Sequence, residues 1–243
     1  MSNQIKISFP DSSVKEYKSG ISSLEIAKSI SNSLAKKILV ASFNDIHIDL
    51  STELTENGSI KFFTWDDIEG KKTFWHSSAH LLAEAVESLY PGVKFGIGPP
   101  IDNGFYYDID FMEYDSSGIN TSKIEKKFID LCSKNLSFER KKISKKEALK
   151  YFKDKGDQYK LELLEDLDDG KITFYNQGNF TDLCKGPHVP SSKFIKSIKI
   201  LNVAGAYWRG DEKNKQLTRL YAISFPKKEL LDDYMLKLEE AKK

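Results

Sequence analysis

The sequence is poor in the residues that build disulfide frameworks and has no long apolar segment. It contains two cysteines, Cys132 and Cys184, and no apolar run near the roughly 20 residues of a membrane-spanning helix. Its first residues lack the basic segment and apolar core of a signal peptide. We therefore expect a cytoplasmic protein with two free thiols and no membrane partner.

Excess charge of either sign is also absent. The 243 residues include 37 basic and 36 acidic side chains, for a formal charge of +1. Such a chain has no general attraction for nucleic acid or anionic lipid, so a polyanion would have to bind local patches. The 40% hydrophobic content is enough for one large core or two smaller ones.

The first 63 residues show the pattern of a small β-grasp-like module. Residues 5–9 and 14–17 predict a hairpin, and Ser22 with Glu25 predicts a capping box that starts a helix ending near Asn32. Further strands are predicted over residues 38–43, 46–50 and 60–65.

A larger mixed segment follows. Thr73 is a candidate cap for a helix that carries His76 and His80, and the Asn103-Gly104 step predicts a tight turn into a strand over residues 105–110. A helix over residues 122–135 places Cys132 on its apolar face. Strands are predicted over residues 171–175, 179–183, 197–203, 206–208 and 217–225, and a last helix from about residue 227 still runs at residue 243.

Basic residues are concentrated between positions 140 and 160 and are followed by an acidic run over residues 162–169. Alternation of this kind is typical of a solvated helical surface. We favour that interpretation over an RNA-binding patch.

Three of the four histidines fall into two short pairs, His76 with His80 and Cys184 with His188. Positions four apart share a helix face, although such a pair is often a packing accident. A zinc protease would carry glutamate where Ser77 stands, which excludes that class. Three imidazoles and one thiol suit a tetrahedral zinc site and equally a metal-free hydrolytic pocket.

Four segments resemble, in order and spacing, the amino-terminal half of bacterial threonyl-tRNA synthetases. They are HSSAHLL at residues 76–82, IGPPIDNGFYYD at 97–108, DLCKGPHVP at 182–190 and AGAYWRGD at 204–211. The resemblance implies an α+β protein: a ubiquitin-like TGS (β-grasp) domain at 1–63, a larger mixed α/β editing domain with an antiparallel sheet at 64–226, and the start of a linker helix at 227–243. The aminoacylation core, which uses ATP, magnesium and zinc, is absent from this sequence, so no aminoacylation is expected.

The implied activity is proofreading. Serine differs from threonine by one methyl group, worth about 1–3 kcal/mol, so a site shaped for threonine needs a second site that removes serine. The resemblance implies hydrolysis of seryl-tRNA(Thr), with the serine-bearing 3′ end of the tRNA as partner. It implies no metal here, although the similar editing domain of alanyl-tRNA synthetase holds zinc at the corresponding positions. We expect this chain to be a monomer and the parent enzyme a homodimer.

Family positions also suggest the catalytic roles. His76 and Lys160 would position and activate the attacking water or the ribose hydroxyl, and Lys160 would also offer charge to the developing oxyanion. His80, Cys184 and His188 would complete the pocket.

Two further residues complete the predicted site. Asp182 lies two residues before Cys184 on a predicted strand, so both side chains point the same way, and it would pair with the α-amino group of serine. Tyr107 would pack on the adenine or limit the size of the side chain admitted.

Two alternatives stay open beside proofreading by this metal-free pocket. One is a tRNA acceptor-arm binding module without chemistry, in which Tyr207 and Trp208 stack on RNA. The other is a zinc-dependent hydrolase of the alanyl type. A GTPase is excluded because the chain has no phosphate-binding loop of the GxxxxGK[S/T] kind.

Overall fold

The fold is described from a computed structural model, in which residues 4–115 and 118–241 are described. The chain divides into two compact units. The first comprises residues 1–74 with 186–190, and the second comprises residues 75–185 with 191–243. The predicted domain boundaries at residues 63 and 226 stay predictions.

The first unit is built on a five-stranded sheet. Its elements are β1 (Gln4–Ser8), β2 (Val14–Lys18), β3 (Ile21–Ser22), α1 (Ser23–Ile30), α2 (Asn32–Ala35), β4 (Val40–Phe43), β5 (Ile46–Ile48), β6 (Glu53–Leu54) and β7 (Gly58–Phe63). The strand order is β2-β1-β7-β4-β5, with β1 and β7 parallel, and β3 pairs separately with β6. The predicted hairpin and the Ser22–Glu25 capping box are both confirmed.

In its described residues, the second unit contains longer helices and two antiparallel sheets. After α3 (Ile68–Leu89), which begins in the first unit, come β8 (Lys94–Phe95), β9 (Pro100–Ile101), β10 (Gly104–Asp110), α4 (Thr121–Ser133), β11 (Glu139–Lys142), α5 (Lys145–Asp154), α6 (Gln158–Glu165), β12 (Thr173–Gln177), β13 (Phe180–Leu183), β14 (Ser197–Tyr207), β15 (Gln216–Phe225) and α7 (Lys228–Glu240).

Antiparallel pairing dominates this unit, as expected. One sheet has the order β14-β15-β10-β8, with β9 paired to β10, and the other has the order β11-β12-β13. The predicted α+β fold class, with antiparallel sheet in its larger part, is therefore confirmed. On α4 the predicted apolar face is also confirmed, since Ile124, Phe128, Leu131 and Cys132 are all buried.

Several local expectations are wrong. The helix that carries the histidine pair begins at Ile68, and Thr73 lies inside it, where its hydroxyl donates to the carbonyl of Glu69 at 2.9 Å instead of capping the helix. The two strands predicted between residues 197 and 208 are one strand, β14, which contains a bulge between Ile200 and Asn202.

The last helix is present as α7 and ends at Glu240, with Ala241 as its carboxyl cap. Its predicted continuation to residue 243 includes positions 242 and 243, which lie outside the described residues. Within the described part of the chain, no helix combines the length and apolar character needed to cross a membrane.

Candidate active site

Helix α3 brings its two histidines to one face. The rings of His76 and His80 meet edge to face, with centroids 5.4 Å apart. The same helix is anchored in the core by Ala79, Leu82 and Val86, which are fully buried. His76 is partly exposed, whereas His80 is 2% exposed.

Strand β13 supplies the facing side of the site. It pairs with β12, and the amide of Cys184 donates to the carbonyl of Thr173 at 3.1 Å, which extends the pairing past the end of the strand. The thiol sulfur Sγ of Cys184 lies 3.3 Å from Nε2 of His76. A thiol and an imidazole from distant parts of the sequence are therefore in direct contact.

A buried ion pair lies beside them. Nζ of Lys160 is 2.7 Å from Oδ1 of Asp182, and the two side chains are 3% and 4% exposed. The hydroxyl of Tyr107 donates to the other carboxylate oxygen of Asp182, and the backbone amide of Leu183 donates to Oδ1 at 2.8 Å. The charge pattern of residues 140–160 indicated a solvated surface. Lys160 is instead buried in an ion pair.

The charges of this group explain its pKa shifts. Burial alone would raise the pKa of Asp182, but the Lys160 ammonium and the hydrogen bonds outweigh burial and lower it. Burial and the nearby Asp182 carboxylate raise the pKa of Tyr107 well above its usual value. At neutral pH the site therefore holds an ionised carboxylate and a neutral phenol.

His80 is almost completely buried, and burial changes the pKa of its imidazole. Burial is the largest influence and lowers the pKa of His80 to about 3, despite the opposing effect of Asp182. The imidazole of His80 is consequently neutral at physiological pH.

These side chains line one cavity of about 410 Å³, within the roughly 300–1,000 Å³ of small-molecule sites. Gly98 is in its wall, where a Cβ would come within 2.4 Å of the Tyr107 ring, so only glycine leaves room for that ring. The cavity is lined by His76, His80, Ile97, Gly98, Pro99, Pro100, Tyr107, Lys160, Leu163, Asp182, Leu183, Cys184 and Lys185.

His188 belongs to the segment that groups with the first unit. Its backbone amide donates to Oδ1 of Asp49 at 2.9 Å, and the residue is 1% exposed. The part of His188 in the site stays a prediction. Of the predicted site residues, His76, His80, Tyr107, Lys160, Asp182 and Cys184 line the cavity.

Sequence reasoning missed one residue that positions Lys160. Asp157 caps α6, and its carboxylate accepts from the backbone amide of Lys160 at 3.2 Å. The Asp three residues before Lys160 is an ordinary N-cap signal and could have located the start of this helix. A lysine in the first turn of α6 is thereby held toward the cavity.

Two family models match separate parts of the chain. The TGS domain model matches residues 5–64, and the model of the threonyl and alanyl tRNA synthetase second additional domain matches residues 172–221, which include Asp182 and Cys184. The threonine–tRNA ligase of Cytophaga hutchinsonii is 57% identical over 98% of this chain. The chain carries the TGS and editing domains of the threonyl-tRNA synthetase family.

Other relatives in this family are similarly close. The threonine–tRNA ligases of Parabacteroides distasonis and Porphyromonas gingivalis are 54% and 56% identical, again over 98% of the chain. The chain spans 37% of the length of these curated threonyl-tRNA synthetases. The TGS match lies in the first unit, and the cavity lies in the unit that contains most of the matched editing segment.

Proposed function

We propose that this chain hydrolyses the ester bond of seryl-tRNA(Thr) and spares threonyl-tRNA(Thr). The observation that carries the proposal is the grouping of an imidazole, a thiol and a buried ammonium at one cavity: His76, Cys184 and Lys160. Related proteins are named threonine–tRNA ligases. A synthetic site shaped for threonine cannot exclude serine, because the missing methyl is worth only about 1–3 kcal/mol.

His76 and Lys160 carry the chemistry in this proposal. Imidazole is suited to take a proton from water near neutral pH, and His76 is partly exposed at the cavity. The water oxygen attacks the ester carbonyl carbon, and the Lys160 ammonium stabilises the oxyanion that forms. The bond to the ribose oxygen then breaks, and the ribose oxygen takes up the proton.

The remaining side chains shape the pocket. His80 is neutral, which suits a hydrogen-bonding role rather than proton donation. The Tyr107 ring is 2% exposed, which favours limiting the size of the amino-acid side chain over stacking on adenine. Asp182 holds the Lys160 ammonium and is also proposed to meet the α-amino group of serine. Cys184 and His188 are proposed to contact the ester and the sugar.

Metal is the main chemical alternative to this route. His76, His80 and Cys184 offer ligand atoms within 4.8 Å of one another, a donor set that suits zinc. A zinc ion there would polarise the ester carbonyl. We propose the metal-free route because Lys160 already supplies positive charge in the same cavity. Stoichiometric zinc in the purified protein, lost together with activity on chelation, would contradict it.

The test is single-turnover deacylation of seryl-tRNA(Thr) and threonyl-tRNA(Thr) with the chain in excess. We expect serine release, with His76→Ala and Lys160→Ala each slowing it by about 10²–10⁴-fold. His47→Ala, at an exposed position on β5, is the matched control and should cleave normally.

Three results would contradict the proposal. Equal cleavage of both esters would remove the assignment to serine. Unchanged rates in both active-site variants would remove those residues from the mechanism. A gel shift with tRNA(Thr) but no cleavage would favour the binding module without chemistry. Sedimentation should give a monomer.

A further inference from the structure

Glu84 carries a buried carboxyl group that has no part in the proposed mechanism. It follows His80 by one turn of α3 and is 5% exposed. Its Oε1 accepts a hydrogen bond from the backbone amide of Asn179 at 3.1 Å. The carboxyl group therefore joins α3 to the connection between β12 and β13.

That connection is a two-residue turn, Gly178-Asn179, because Gln177 pairs with Phe180. Gly178 has a φ of +52°, and a Cβ there would lie 2.4 Å from Oε1 of Glu84. Glycine is thus favoured both by the left-handed backbone conformation and by the close approach of the carboxyl group. The turn is shaped to receive Glu84.

A second link runs from the same turn to His80. Gln177 is fully buried, and its Nε2 donates to the backbone carbonyl of His80 at 3.1 Å. The helix that carries the histidines and the hairpin that carries Asp182 and Cys184 are therefore tied at two points.

We propose that Glu84 is a positioning residue, which fixes the Gly178-Asn179 turn on α3 and so holds Asp182 and Cys184 opposite His76. Strand β13 has four residues and Asp182 is the third of them, so a displacement of the turn would also displace Asp182. The kinetic test of this inference, described below, rests on the proposed ester hydrolysis. The second test, alkylation of Cys184, does not depend on it.

The hydrogen bond that Glu84 accepts from Asn179 determines which variant should retain function. Oε2 of Glu84 and Oε1 of Gln177 are both buried acceptors without a hydrogen-bond partner among the described residues. Burial is the largest influence on the Glu84 carboxyl and raises its pKa. Glutamine in place of Glu84 keeps the acceptor for Asn179 and also supplies a donor, so Glu84→Gln should retain function.

The kinetic test compares Glu84→Ala and Glu84→Gln on seryl-tRNA(Thr). Glu84→Ala should lower kcat at least tenfold with KM within twofold, and Glu84→Gln should stay within threefold of the wild type. The matched control is Glu87→Gln on the same helix, where Glu87 forms a partly exposed ion pair with Lys155 at 3.4 Å. If Glu84→Ala does not fold, Glu84→Met, which fills the volume without an acceptor, takes its place. Wild-type kcat in the variant without the acceptor would overturn the proposal.

The chemical test needs no tRNA. The rate of Cys184 alkylation by iodoacetamide, mapped by mass spectrometry, should change at least threefold in Glu84→Ala and stay unchanged in Glu84→Gln. If the wild type hydrolyses no ester but this rate changes, the proposed function fails and the positioning role stands. If the wild type hydrolyses the ester and Glu84→Ala alters neither kcat nor alkylation, the positioning role is wrong.

Discussion

The ammonium of Lys160 lies 2.7 Å from Oδ1 of Asp182, and both side chains are almost completely buried. Removing two charges from water costs several kcal/mol each, and their attraction offsets that cost only where further hydrogen bonds complete the geometry. Tyr107 and the amide of Leu183 supply those bonds to the carboxylate. A lysine is thereby held at one point of the cavity wall.

Breaking this pair should destabilise the fold. We expect Lys160→Met to lower the free energy of unfolding by about 3–5 kcal/mol, because it leaves a buried carboxylate without a cation. The double variant Lys160→Met/Asp182→Asn should recover most of that stability but no ester hydrolysis. Denaturant unfolding measures the first effect and single-turnover deacylation the second.

Lys155→Met is the control for that measurement. Its ion pair with Glu87 is partly exposed, so its loss should cost about 0–1 kcal/mol. Equal losses of stability in Lys155→Met and Lys160→Met would show that the buried pair has no special contribution.

His80 should make stability depend on pH. Its pKa is lowered by burial from 6.5 to about 3, so between these values the unfolded chain binds a proton that the folded chain does not. The free energy of unfolding should therefore rise with pH in this window, by up to about 1.4 kcal/mol per pH unit. The contribution of the neutral His80 to the free energy of unfolding is fully present above pH 6.5 and is lost as the pH falls toward 3.

Denaturant unfolding of the wild type and His80→Gln at several pH values between about 4.5 and 6.5 checks this expectation. The variant should have the shallower dependence. His47→Gln, on the exposed strand β5, should keep the wild-type slope. Parallel curves for His80→Gln and the wild type would contradict the burial argument.

Tyr107 should affect stability and selectivity separately. Tyr107→Phe keeps the ring but removes the donor to Asp182, so it should cost about 1–3 kcal/mol and leave the preference for serine intact. Tyr107→Ala opens the cavity and should raise cleavage of threonyl-tRNA(Thr) relative to seryl-tRNA(Thr). Deacylation rates on both esters measure selectivity, and denaturant unfolding measures stability.

The exposed Tyr207 provides the control, since Tyr207→Phe should change neither quantity. Unchanged selectivity in Tyr107→Ala would remove this residue from substrate choice.

Local features of the fold could be predicted because neighbouring residues encode them. The capping box at Ser22 and Glu25 is a contact over three positions, and the apolar face of α4 follows from helical periodicity. The predictions of where helices begin and end were less accurate. The start of α3 at Ile68 lies five residues before Thr73, because a threonine hydroxyl can also bond to the preceding turn inside a helix.

The chemistry of the site was predictable by residue type and family resemblance, but not its electrostatics. The histidine pair and the Cys184 segment are visible as motifs, whereas Lys160 sits in a charged stretch that is typical of a solvated surface. Glu84 and Gln177 carried no sequence signal, because each acts through a contact with a distant segment.

The sequence by itself determined the mixed fold class, most of the local elements and the set of reactive side chains, since these depend on periodicity, capping and composition within short windows. Only the tertiary structure decided which of those side chains are buried and paired. Lys160 and Asp182 are 22 positions apart in the chain, and Cys184 and His76 are 108 apart. Burial, and with it the pKa of His80 and the placement of Lys160, arises when α3, α6 and β13 meet at one cavity.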